Sequence, residues 1–168
     1  ILTHVFKGIR KGETMAFSMP SNAGKSRFTI NMAAYTAFIH KKKVLIIDDS
    51  ALMRRVLSDI IETDKRFIVD STASNGLDAL DQIVKEPKRF DLAILDINMP
   101  KMNGIEFLER IEKLNLPLKV IVVSTVAKEG AKETIRCLEL GAFDFVTKPE
   151  SFIEAKGDSF RQRIVQKL

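Results

Sequence analysis

The sequence predicts a three-layer α/β fold around a parallel sheet, and three observations predict it. From Lys43 onward, short apolar runs alternate with amphipathic stretches. Between the runs, apolar residues recur at helical spacing. Acids, a hydroxyl and an amine stand directly after the runs, at the edge where parallel α/β sheets present their ligands. With 168 residues, 45% of them apolar, the chain can bury a full core.

Taken in order, residues 14–18 read as a strand, followed by a small polar loop and a helix over 26–40. Phe28, Ile30, Met32, Ala33, Tyr35, Ala37, Phe38 and Ile39 cover most of that helix's circumference, so it should be largely buried. Five further strands are expected at 44–47, 67–69, 92–95, 120–123 and 143–146. The helices between them are marked by Met53, Val56, Leu57, Ile60 and Ile61, and then by Leu77, Leu80, Ile83 and Val84. Ile105, Leu108 and Ile111 mark the next, and Ile135, Leu138 and Leu140 the one after. Asn75-Gly76, Asn103-Gly104 and Leu116-Pro117 supply turns where the pattern breaks. Residues 150–157 read as a loop, and Asp158 can cap a last helix running to about Lys167. The count is six strands, one of them N-terminal to the rest.

Charge is uneven. Residues 1–42 hold seven Lys/Arg against Glu13 alone, a net of +6, which leaves the other 126 residues near neutral at −1. No interleaving of aromatics with the basic residues suggests a nucleic-acid groove, so nucleic acid is not expected as a partner. Cys137 is the single cysteine and sits in a helical pattern, which excludes a disulfide framework and suggests a small core residue in a reducing compartment. No apolar run approaches the length of about 20 residues that a membrane span needs, and no signal-peptide pattern opens the chain. A soluble, cytoplasmic protein without a membrane partner is expected.

Asp48 and Asp49 end one strand, Asp96 ends another, Ser124 a third, and Lys148 follows a fourth. One rim would therefore gather three carboxylates, a hydroxyl and an ammonium. Clustered carboxylates repel one another unless a cation offsets them, and an oxygen-only donor set with room for water suits magnesium.

Three stretches, VLIIDDSALMR at 44–54, DINMPKMNG at 96–104 and LGAFDFVTKP at 140–149, resemble the receiver domain of chemotaxis response regulators. The likeness is strongest to the regulatory half of the protein-glutamate methylesterases. It implies a flavodoxin-like, five-stranded receiver over residues 43–150, with 151–168 as a C-terminal linker helix. It further implies that Asp96 accepts a phosphoryl group from a histidine kinase, with Ser124 and Lys148 contacting the phosphoryl oxygens. Magnesium would be held by Asp49, Asp96 and the backbone carbonyl of Asn98, with Asp48 assisting through a water. Phe145 would be the aromatic switch, and Lys148-Pro149 matches a site where the family's peptide bond is cis. Methylesterase activity is not expected, because the chain ends soon after the last strand.

The segment SNAGKS at 21–26 lies between an expected strand and an expected helix, the context of a phosphate-binding loop. Residues 11–47 resemble the opening of a RecA-like or replicative-helicase-type ATPase, although Met19 stands where the motif has its first glycine. The resemblance implies that the amides of Asn22, Ala23, Gly24, Lys25 and Ser26 cradle a phosphate of a nucleotide such as ATP, with Lys25 on its terminal oxygens and Ser26 on magnesium. Hydrolysis is not expected, since no water-orienting glutamate or arginine finger stands out. Two families meeting at 43–47 suggest a chimera, engineered or recombined, with residues 1–42 as a P-loop βα unit added to the receiver. Its apolar helix would need covering, in a six-stranded monomer or an exchanged dimer. Two other readings stay open: a nucleotide-binding P-loop protein, and a structural chimera with neither site active.

Overall fold

A computed structural model describes residues 41–124 and 128–168. The strand expected at 14–18 as the sixth of the sheet, the loop expected at 21–26 and the helix expected at 26–40 all lie outside the described residues. Those described hold five parallel strands: β1 (Lys42–Ile47), β2 (Phe67–Ala73), β3 (Leu92–Asp96), β4 (Lys119–Ser124) and β5 (Asp144–Thr147). Six helices accompany them: α1 (Ala51–Ile61), α2 (Gly76–Lys85), α3 (Gly104–Lys113), α4 (Lys128–Glu139), α5 (Phe152–Ala155) and α6 (Asp158–Lys167).

The strand order is β2-β1-β3-β4-β5. After β2 the chain crosses back over β1 to place β3 on its other side, so the order reverses between β1 and β3, where Ile47 pairs with Leu95. A crevice opens at such a reversal, outside the carboxyl ends of the two strands. Asp48 and Asp96 stand at those ends.

Alternation of side chains along β1, β3 and β4 feeds two cores. Leu45, Ile47, Ala93, Leu95, Val120 and Val122 face one layer, with Ile83, Phe107 and Cys137. Val44, Ile46, Leu92, Ile94, Ile121 and Val123 face the other, with Leu57, Ile61, Phe160 and Ile164. Helix α6 thus packs on the sheet, and the division expected at residue 150 divides the chain but not its core.

Several helix starts are fixed by side-chain caps that also shape the rim. Ser50 Oγ accepts from Met53 N (3.3 Å) at α1. Asn75 Oδ1 accepts from Asp78 N (3.0 Å) at α2. At α3 the Asn103 side chain accepts from Glu106 N while Glu106 Oε2 accepts from Asn103 N, both at 2.9 Å. Each such cap contributes about 1 kcal/mol and fixes where the preceding loop must end.

Four sequence expectations are corrected. The segment 150–157 contains α5, because Ser151 Oγ accepts from Glu154 N and Glu154 Oε2 from Glu150 N, each at 3.2 Å. Strand β2 runs on to Ala73 through Asp70, Ser71 and Thr72, polar residues that an edge strand can leave half-covered. Ile135 and Leu138 are exposed, while Thr134 and Cys137 form the buried face of α4; Leu77 and Val84 are exposed on α2. Among the described residues no peptide is cis, so Lys148–Pro149 adopts the trans form that even a proline peptide favours by about 0.5–1 kcal/mol.

Candidate functional site

Asp48 and Asp49 follow β1, and backbone bonds set their direction. Asp48 N donates to Ala73 O (3.1 Å), and Ser50 N donates to Asp48 Oδ1 (2.9 Å), which turns the Asp48 carboxylate inward. Arg54 reaches back from the first turn of α1, its Nη1 donating to the carbonyls of Asp48 (2.7 Å) and Asp49 (3.1 Å). Arg54 ends the 44–54 stretch, and the resemblance implies no role for it. A cation six residues after Asp48, in the first turn of a helix that Ser50 caps, was the available signal.

Asp96 closes β3 and is 5% exposed; Asp48 is 1% exposed, and Asp49 lies open to solvent. One oxygen from each of the three carboxylates lies within 4.8 Å of the others. Lys148 enters from the β5 side, its Nζ 2.8 Å from Asp48 Oδ2 and 2.7 Å from Asp96 Oδ2. Its own amide donates to Ser124 O (2.6 Å), which ties the lysine loop to the end of β4. Ser124 is buried there.

Burial raises the pKa of Asp96, and the neighbouring Asp48 charge adds to it, against the opposing pull of the Lys148 ammonium and the Asn98 amide. Burial works to lower the pKa of Lys148, but the two carboxylates beside it outweigh that and hold it above the usual lysine value. The lysine stays charged and Asp96 is less acidic than a solvated aspartate. The rim as a whole holds more negative than positive side-chain charge.

The loop after Asp96 folds tightly back on it. Gly104 N donates to Ile97 O (2.8 Å), and a Cβ at Gly104 would lie 2.6 Å from Asp96 O, so only glycine fits. Asn98 is exposed on this loop. Phe145 lies on β5 with 44% of its surface exposed, its amide held by Asp144 Oδ1 (2.7 Å). The structure thus gathers Asp48, Asp49, Asp96 and Lys148 at one rim and ties Ser124 to it through the Lys148 amide. Phe145 stands one strand away, facing outward, and Asn22–Ser26 lie outside the described residues.

The family model for the response regulator receiver domain matches residues 44–156. The chain belongs to that family. As a receiver, it is 40% identical to the response regulator domain of Thermotoga maritima CheB, with a TM-score of 0.64 over 76% of this chain and 92% of that one. The Borrelia burgdorferi protein in the CheX-CheY-BeF3-Mg+2 complex is 31% identical, with a TM-score of 0.63 over 75% of this chain and 85% of that one. The protein-glutamate methylesterase/protein-glutamine glutaminase of Treponema pallidum is 50% identical over 106 residues, 63% of this chain. The receiver spans only 26% of that relative's length.

Among the receiver's described residues, no helix is long and apolar enough to cross a membrane. The acidic rim fits a hard divalent cation. Asp48 Oδ2 is buried, meets the Lys148 ammonium at 2.8 Å and has no aligned hydrogen-bond donor, and the surrounding donors are carboxylate oxygens.

Proposed function

We propose that this receiver accepts a phosphoryl group on Asp96 in a magnesium-dependent reaction, the donor being the phosphohistidine of a histidine kinase. The observation that carries this reading is the buried Asp96 carboxylate, 2.7 Å from the Lys148 ammonium and grouped with Asp48 and Asp49. An Asp96 oxygen attacks phosphorus, the new O–P bond forms as the N–P bond breaks, and the imidazole departs with the electron pair. Transfer of this kind depends chiefly on alignment and on neutralising oxyanion charge.

Lys148 neutralises the arriving oxyanion, and Ser124 hydrogen-bonds it. Asp49, Asp96 and the Asn98 carbonyl would hold magnesium, with Asp48 assisting. When bound, the ion would supply charge neutralisation. Arg54 keeps the Asp48–Asp49 backbone in place from behind. Phe145 reports the modified state by turning inward as Ser124 moves toward the phosphoryl group. A cytoplasmic location follows from a kinase partner of this class. The test is a mass measurement after incubation with magnesium and acetyl phosphate: the parent gains one phosphoryl group and Asp96→Asn gains none. Equal uptake by both would refute the assignment.

A second reading concerns residues 1–42 and rests on the SNAGKS segment at 21–26. Here the amides of Asn22, Ala23, Gly24, Lys25 and Ser26 bind a phosphate or the phosphates of ATP, in a P-loop βα unit joined to the receiver as a chimera. ATP affinity should fall at least about ten-fold in Lys25→Ala, the loss of a charge-assisted phosphate contact. Unchanged affinity would remove this reading and leave the receiver reading untouched.

A further inference from the structure

The turn that opens α2 contains a second close glycine contact. Gly76 is buried and is the first residue of α2, and its amide donates to Met102 O (3.0 Å). Its φ lies outside the left-handed region, so no feature of its backbone conformation calls for glycine. The requirement is space. A Cβ at Gly76 would stand 2.8 Å from Met102 Cγ, 2.8 Å from Met102 O and 3.2 Å from Met102 Cβ.

Met102 is the outer turn of the same loop that leaves Asp96. Met102 N donates to Pro100 O (2.8 Å), Lys101 has φ 66°, and the loop closes where Gly104 N meets Ile97 O. Asn98 lies inside that closure. The loop therefore has two supports, one within itself at Gly104 and one from a different element at Gly76.

We propose that Gly76 is a positioning residue for the cation pocket: its bare Cα lets Met102 seat against α2, and this fixes the loop that carries Asn98. The inference rests on the magnesium reading of the rim. Outer partners that hold a ligand-bearing loop typically change metal affinity by about ten-fold or more. The local alternative makes the opposite prediction, because alanine is the better helix former and would leave α2 intact or improve it.

The test measures magnesium affinity, urea unfolding and the amide hydrogen exchange of Gly104 in the metal-free full chain. The parent is compared with Gly76→Ala, Met102→Ala and the double variant. The expected results in Gly76→Ala are a magnesium Kd raised about ten-fold, faster exchange at Gly104, and a urea midpoint lowered by the contact with the Met102 carbonyl while unfolding stays cooperative. The double variant should recover part of the affinity, because Met102 Cγ is one of the two closest obstacles while the Met102 carbonyl remains. Met102→Ala alone removes the seat without adding bulk and should speed Gly104 exchange, which keeps the test decisive if Gly76→Ala folds poorly. Parent-like magnesium binding and Gly104 exchange in Gly76→Ala, or in Met102→Ala if that variant alone folds, would overturn the clamp. Absence of magnesium binding in the parent would overturn the pocket reading itself, and the clamp with it.

Discussion

The two ends of the sheet carry charge in opposite ways. At the carboxyl end, Asp48 and Asp96 are buried and share a single lysine, with Asp49 close by. At the amino end, Lys42 pairs with Asp91 at 2.8 Å, while Lys43 (3.4 Å) and Arg89 (2.7 Å) both meet Asp70. These pairs are exposed or half-exposed. Charge at the amino end is paired at or near the surface, where each pair contributes little. Charge at the carboxyl end is crowded, desolvated and left with an acidic excess, which costs stability unless a cation or a phosphoryl chemistry uses it.

Breaking that contrast begins with Asp96→Asn, which should abolish phosphoryl uptake entirely, as read by mass after exposure to acetyl phosphate. Next is Lys148→Met, which leaves two buried carboxylates without their cation. It should cost about 3 kcal/mol in urea unfolding with chelator present, and added magnesium should return part of the loss. A loss that magnesium does not touch would place the acids outside any cation site. Arg54→Ala removes charged donors from two backbone carbonyls and should cost about 1.5 kcal/mol, together with faster hydrogen exchange at the Ser50 amide.

The smallest effect belongs to the amino end. Hydrogen bonding from Arg89 is the largest influence on Asp70 and holds its pKa below the usual carboxylate value. A lowered folded pKa means stability present above the unfolded value of about 4 and lost as pH falls through the folded one. Asp70→Asn should therefore cost under about 1 kcal/mol at pH 7 and almost nothing at pH 2, measured by unfolding at both. A large cost at neutral pH would erase the distinction between the two ends.

The same contrast explains what was legible in the sequence. Strands β1, β3 and β4 are buried on both faces, so they show as unbroken apolar runs whose last residues mark the rim, and Asp48, Asp96 and Ser124 could be placed at sight. Edge strand β2 is half-covered, and its polar Asp70-Ser71-Thr72 hid its true length. On α4 the buried face holds Thr134 and Cys137, while Ile135 is 59% exposed, so counting large apolar residues selected the wrong face. Helix α5 carried a capping pattern, Ser151 to Glu154, in a segment too short for periodicity to register. Arg54 left a local signal, its spacing from Asp48, whereas Gly76 has none as a positioning residue because its partner, Met102, is set by tertiary contact.

The function proposed for the acidic rim is to bind magnesium and to take a phosphoryl group on Asp96. Titrating beryllofluoride with magnesium into the full chain, while following amide NMR shifts, tests it most directly. Saturable shifts at Asp49, Ser124 and Phe145 are expected in the parent and none of them in Asp96→Asn. Identical responses in the two proteins, or no response in the parent, would contradict it.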